Sequence, residues 1–249
     1  MDALIILLLF FFAVGPWLLK RPSVKGFLGE RKVQAITSLF LNDNDYRRID
    51  DVILPVRNGT TQIDHVIVSV YGLFVIETKN MTGWIFGDEN QRQWTQTIYR
   101  KSYKFQNPLH QNYLHVKALE LALGNPGIPI RSVVVFTGGA KIKSAMPSNV
   151  VYASGLSRYI KSFKNPVITP ENRDALIKRI EEERLAATTA TRNMHVKSLK
   201  GRLSAASQDM CPRCGGNLVE RVARKGPSAG RKFIGCSGYP KCKYTRDRT

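Results

Sequence analysis

The stretch from Ile63 to Lys79, IDHVIVSVYGLFVIETK, constrains the fold more than any other part of the chain. Two runs rich in Val and Ile, Thr61–Val70 and Leu73–Thr78, flank Tyr71-Gly72 and predict an antiparallel hairpin. With Tyr71-Gly72 as a two-residue loop, Val70 pairs with Leu73 and position 64 lies opposite position 79. Strand alternation then sets Asp64, Glu77 and Lys79 on one face, with 64 and 77 as diagonal neighbours. Two carboxylates and one ammonium therefore converge at the open end of an otherwise apolar hairpin. Phosphodiester hydrolysis can use such a set, because a divalent metal binds the non-bridging oxygens, activates water and neutralises developing charge. Mg²⁺ or Mn²⁺ held by Asp64 and Glu77, with the Thr78 carbonyl and water completing the shell, fits that chemistry. Lys79 would orient the attacking water or stabilise transition-state charge. The same residues also fit an exposed cross-strand charge pair with no catalytic role.

The elements around the hairpin read as mixed α/β. A helix is predicted from Ser23 to about Asn42, with Val33, Ile36 and Phe40 on its apolar face and Glu30 on the flank. Tyr46–Val56 reads as a strand, Gly83–Phe86 and Gln93–Ile98 as shorter ones. Asn107-Pro108 is an N-cap followed by proline at the first helical position, opening a helix to about Leu123 that carries Gln111. Ser132–Phe136 and Val150–Tyr152 are predicted strands, and Pro170 to about Arg184 a helix whose Glu171 and Asp174 favour its N-terminal end. His65 alternates away from Asp64 and reads as structural. Trp84 and Trp94 read as packing residues, and His110, His115 and His195 show no ligand spacing.

Both ends of the chain differ from this middle. Ala3–Leu19 contains no charged residue and is followed by Lys20, Arg21 and Lys25. At 1.5 Å per residue this run reaches roughly 26 Å, enough for a single-pass transmembrane anchor. Positive charge after rather than before the run disfavours a cleaved signal and puts the N-terminus outside, with the bulk of the chain cytoplasmic. A buried core helix is the alternative. The expected layout is an anchor at 3–19, an α/β domain at 24–184, an Ala/Ser/Thr-rich linker at 185–209 and a small zinc module at 210–246.

Cys211, Cys214, Cys236 and Cys242 are the only cysteines, arranged as two close pairs. That spacing predicts a tetrahedral structural Zn²⁺ site, without which so short a segment could not fold. A redox CxxC would leave the second pair unexplained. Residues 201–249 carry eleven Lys and Arg against three acids, and the whole chain is +19. Arg231, Lys232, Phe233, Tyr239, Lys241, Lys243 and Tyr244 interleave basic and aromatic side chains, the composition of a module that binds single-stranded nucleic acid. The alternative assigns the aromatics to the small core and the charges to solvent.

Two resemblances sharpen these readings. CPRCGGNLVERVARKGPSAGRKFIGCSGYPKCKYT resembles the four-cysteine zinc ribbons of type IA topoisomerases, which implies DNA binding with single strands favoured. It does not imply topoisomerase activity, since the chain is too short for that enzyme. FLGERKV, the hairpin with its continuation NMTGWIFG, Trp94 and NPLHQNYLHVKAL together resemble the nuclease-related domain (NERD) family over roughly residues 24–140. That resemblance implies a PD-(D/E)xK nuclease-like αβββαβ core. It assigns Glu30 to the acidic residue of the first helix, Asp64 to the metal-binding aspartate, Glu77 and Lys79 to the E-x-K pair and Gln111 to the glutamine of the following helix. Ile63 stands where the superfamily's proline would be. The expected function is a membrane-anchored, metal-dependent nuclease acting on DNA, with RNA also open as substrate. The alternative is a non-catalytic protein that tethers DNA to the membrane.

Overall fold

The computed structural model describes residues 22–56 and 59–186, single positions at 188, 191, 193 and 196, and the stretches 218–223, 230–237, 239–240 and 243–247. The chain divides into two units, residues 1–187 and 188–249. The anchor expected at 3–19 lies outside the described residues, as does most of the linker expected at 185–209. Among the described residues no helix is long and apolar enough to cross a membrane.

The first unit opens with helix α1 (Pro22–Phe40), followed by the meander β1 (Tyr46–Val56), β2 (Gly59–Ser69) and β3 (Gly72–Asn80). After β4 (Gly83–Phe86), β5 (Gln93–Ile98) and β6 (Lys101–Gln106) comes helix α2 (Pro108–Ala122). Strands β7 (Ile130–Thr137), β8 (Ala140–Ile142) and β9 (Val150–Tyr152) and helices α3 (Leu156–Lys161) and α4 (Pro170–Glu183) complete the unit. The main sheet runs β1-β2-β3-β7-β9, antiparallel through β3 and parallel beyond it. The αβββαβ order expected from the resemblance is present, with the β4–β6 strands inserted before α2. Those strands and β8 form a second sheet in the order β6-β5-β4-β8. The sequence pattern does not announce β6, β8 or α3; β6 is exposed along nearly its whole length and so offers no burial period.

Helices cover both faces of the main sheet, which is why its strands are apolar on both sides. Val66, Val68, Leu73 and Val75 pack with Val116 and Leu119 of α2 and Ile180 of α4. Ile67, Phe74, Ile76, Val133 and Val135 pack on the other face with Val33 of α1 and Leu156 and Ile160 of α3. On α1, Phe40 departs from expectation. It is 54% exposed, and Leu41 just past the helix is buried in its place. The N-cap of α2 holds as predicted, with the Asn107 side chain accepting from Leu109 N–H. Thr169 caps α4 in the same way by accepting from Asn172 N–H.

The β2–β3 register differs from expectation by two residues. Ser69 pairs with Gly72 and His65 with Ile76, so Val70-Tyr71 is the turn. Gly72 sits at φ +111°, and a Cβ there would lie 2.8 Å from the Pro129 carbonyl oxygen. The glycine therefore closes the turn from its flank rather than occupying its centre. A shift of two preserves side-chain alternation, and continuing this register puts Asp64 directly opposite Glu77 rather than on its diagonal.

In the second unit, β10 (Leu218–Val222), β11 (Lys232–Cys236) and β12 (Thr245–Asp247) form an antiparallel three-stranded sheet. Leu218 and Tyr244 pack against buried Cys236. Cys211, Cys214 and Cys242 lie outside the described residues, as does Lys241.

Candidate active site

The site forms where β2 parts from β3. Ile49 and Val52 of β1 both pack toward α2, as do Ile63 and Val66 of β2. Strict alternation would send residues three apart to opposite faces, so each strand loses step once, at paired positions. Asp51 on β1 absorbs the slip with φ 54°, and the β1–β2 register sets it opposite Asp64. The β2–β3 ladder stops at His65, and the Asp64 side chain takes over: its Oδ2 accepts the Thr78 backbone N–H at 2.7 Å.

Glu77 is 3% exposed and faces α2. Its Oε1 accepts from Lys79 Nζ at 2.5 Å, and Lys79 Nζ also donates to Gln111 Oε1 at 3.0 Å. Gln111 and His115 lie one helical turn apart on α2, so both reach the same spot. His115 Nε2 stands 3.2 Å from Glu77 Oε2, and its Nδ1 is 2.8 Å from Thr61 Oγ1. The Thr61 hydroxyl can donate to Nδ1, while Nε2 stands near both the Glu77 carboxylate and, at 3.5 Å, the Gln111 amide nitrogen. His115 is a site residue that sequence reasoning passes over. The available signal is its i+4 spacing from Gln111.

Glu30 approaches from α1. Gly29 makes that possible, since a Cβ there would lie 2.8 Å from Asn80 Cβ and 2.9 Å from Thr137 Oγ1. Asn80 Nδ2 donates to the Lys25 carbonyl at 2.6 Å, tying the helix to the end of β3. His65 lies on the far face as expected, its Nδ1 2.7 Å from Asp50 Oδ1, and Arg48 holds Asp50 from the other side at 2.9 Å. Trp94 is fully buried and stacks on Phe136, whereas Trp84 is 50% exposed and is no core residue.

Four carboxyl groups thus crowd one corner. Burial raises Asp64 well above the usual carboxylate range, and Glu77 and Glu30 add to the effect against the Thr78 N–H bond and Lys79. Burial also pushes Glu77 upward, but Lys79 and then His115 outweigh it and leave this carboxyl lowered. Glu30 is raised by burial first and by Asp51 next. Lys79 therefore neutralises Glu77, while among the described residues no cation stands within ion-pair distance of Asp64. Glu77 Oε2 is buried and makes no well-aligned hydrogen bond.

This donor set fits a divalent cation. Asp64 has no ion-pair partner among the described residues, Glu77 keeps an oxygen without a well-aligned hydrogen bond, and the two carboxyls feel each other's charge. Among the described residues no three His, Cys, Asp or Glu side chains already stand at metal-ligand spacing. A cation here would complete its shell with a backbone carbonyl and water, as Mg²⁺ commonly does. In a strand a residue's N–H and C=O face the same neighbour. The Thr78 N–H bond to Asp64 therefore turns the Thr78 carbonyl to the same side.

In the second unit, Tyr239 is 61% exposed, with Arg221 5.8 Å from its ring centroid. Arg231, Lys232 and Lys243 are exposed, although Lys232 pairs with Glu220 at 2.9 Å. Phe233 is half-buried, and Tyr244 belongs to the small core.

Comparison with known proteins agrees with both halves. A family model described as the nuclease-related domain matches residues 25–137, and one described as the topoisomerase DNA-binding C4 zinc finger matches residues 208–248. An uncharacterized protein of Bacillus anthracis is 37% identical over 153 residues, covering 59% of this chain and 71% of that one. DNA topoisomerase 1 of Archaeoglobus fulgidus is 54% identical over 35 residues, 14% of this chain and 5% of the topoisomerase. The uncharacterized protein YrdD of Escherichia coli is 45% identical over 40 residues, 16% of this chain and 19% of YrdD. No solved structure matches the chain significantly. The fork between β2 and β3 thus stands inside the matched region, and the chain belongs to the nuclease-related domain family, with a topoisomerase-type zinc ribbon at its C-terminal end.

Proposed function

We propose that this protein is a metal-dependent nuclease that hydrolyses DNA phosphodiesters from the cytoplasmic side of a membrane, to which residues 3–19 anchor it. The observation that carries the reading is the Asp64–Glu77–Lys79 cluster at the fork, with Lys79 held by both Glu77 and Gln111. A divalent cation bound by Asp64 and Glu77 would supply charge neutralisation and a water of lowered pKa. Asp64 is held in place by the Thr78 N–H, and Lys79 holds Glu77 while His115 stands beside it. Two of the Lys79 N–H groups are committed, so the third is available for the attacking water or a phosphate oxygen. Glu30, adding negative charge from α1, strengthens the demand for a cation.

The zinc ribbon, with a structural Zn²⁺ on its four cysteines, would hold DNA, single strands preferentially. Its match to the topoisomerase zinc finger and its basic composition support this role. Detergent-solubilised full-length chain should cut labelled DNA with Mg²⁺ or Mn²⁺, and Lys79→Ala should lower the rate at least ~100-fold. Wild-type and Lys79→Ala protein giving the same products at the same rate would overturn catalysis at this site and leave a DNA-tethering protein.

A further inference from the structure

The second sheet of the first unit has an outward face that the fork does not use. Trp84 and Phe86 alternate with buried Ile85 along β4, so both aromatic rings point away from the core. They are 50% and 37% exposed and lie edge to face at 6.5 Å. The register sets Lys141 of β8 beside Trp84, and Thr95 and then Lys104 across from Phe86. Lys143, which continues β8 through a hydrogen bond to the Ile85 carbonyl, carries its Nζ 5.1 Å from the Trp84 ring centroid. Strands β4, β5, β6 and β8 contain no acidic residue. Trp84 follows Lys79 by five residues, a reach of at most about 18 Å.

We infer that this face binds single-stranded nucleic acid, with bases stacked on Trp84 and Phe86 and phosphates against Lys104, Lys141 and Lys143. Exposed aromatic rings flanked by unopposed positive charge are complementary to an unpaired strand, which offers free base faces and one phosphate per nucleotide. A duplex offers the phosphates but keeps its bases stacked on each other. The packing of this unit does not require the two rings to be exposed, since Ile85, Trp94 and Phe136 already fill the adjoining core. The surface belongs to the first unit, separate from the zinc ribbon, and is independent of whether the fork cleaves.

The test uses full-length chain in detergent without added divalent cation, so that binding is read without cleavage. Short oligothymidylate and oligouridylate are titrated while tryptophan emission and the anisotropy of a labelled strand are followed. The zinc-ribbon region contains no tryptophan and Trp94 is buried; with Trp17 replaced by Phe in every protein compared, quenching reports on Trp84. The wild-type protein should be quenched. Trp84→Leu should lose the quench and bind about 5- to 100-fold more weakly. The pair Lys141→Glu and Lys143→Glu should flatten the salt dependence by about 0.7 in log–log slope for each phosphate no longer neutralised. Quenching by both oligomers, or by one alone, supports the proposal and assigns the sugar. Binding with no quench, both variants at wild-type affinity, or a duplex that binds and quenches as strongly as the single strand would overturn it.

Discussion

Replacing Asp64 by Asn should stabilise the metal-free protein while abolishing its response to metal. Asn keeps a carbonyl oxygen for the Thr78 N–H, so the 2.7 Å bond that closes the fork survives. What disappears is a carboxylate facing Glu77. The last ladder pair, His65–Ile76, is adjacent, and opposed residues of a ladder have Cβ atoms about 5 Å apart, which sets the order of magnitude for the two carboxyls just beyond it. At that spacing and an effective dielectric near 20, two like charges repel by roughly 3 kcal/mol. Lys79, 2.5 Å from Glu77, attracts both acids and offsets part of this, leaving a net gain of about 1–2 kcal/mol. For a unit of this size that is a rise in Tm of roughly 3–6 °C. Buried Trp94 gives an emission signal specific to the first unit. In buffer without divalent cation, Asp64→Asn should melt above wild type. With Mn²⁺ at a hundredfold excess over its Kd, the wild type should gain about 2.7 kcal/mol and overtake the variant, which should not move. A variant that melts below wild type without metal, or that shifts equally with Mn²⁺, would show that Asp64 neither opposes Glu77 nor binds the cation.

Asp50 is half-buried, which alone would raise it, but the His65 hydrogen bond and Arg48 hold its carboxyl below the usual range. Its contribution is complete above the ordinary carboxylate pKa and is lost as pH falls through the lowered folded value; Asp50→Asn should therefore flatten the acid limb of stability measured by urea unfolding. Gly29→Ala puts a Cβ 2.8 Å from Asn80 Cβ and should cost about 1–3 kcal/mol by displacing α1, lowering cleavage with it because Glu30 moves too. Stripping zinc with a thiol-selective chelator should abolish DNA binding by the ribbon and unfold it, while the Trp94-reported melt of the first unit stays unchanged.

The hairpin, its candidate side chains and the cap of α2 are legible because each rests on local pattern: Val/Ile runs, E-x-K, Asn-Pro. The register error comes from placing Gly72 inside the turn. Glycine at positive φ serves equally beside a turn, and only the close approach to Pro129 distinguishes the two. The slip at Asp51 and Asp64 is invisible in sequence because one lost step in each of two strands leaves their pairing register intact. His115 escapes because a helical histidine carries no signal until the strand it faces is known. Strand β6 escapes because its stability comes from pairing with β5, while its own side chains are mostly in solvent.

Catalysis at the fork requires Asp64 and Glu77 to share one divalent cation. Anomalous diffraction from crystals of the protein grown with Mn²⁺ measures this directly. A single manganese peak within coordination distance of both carboxylates, absent from Glu77→Gln crystals, is the expected result. Manganese elsewhere, or an intact fork in which Lys79 alone fills the space between the two acids at saturating Mn²⁺, would contradict it.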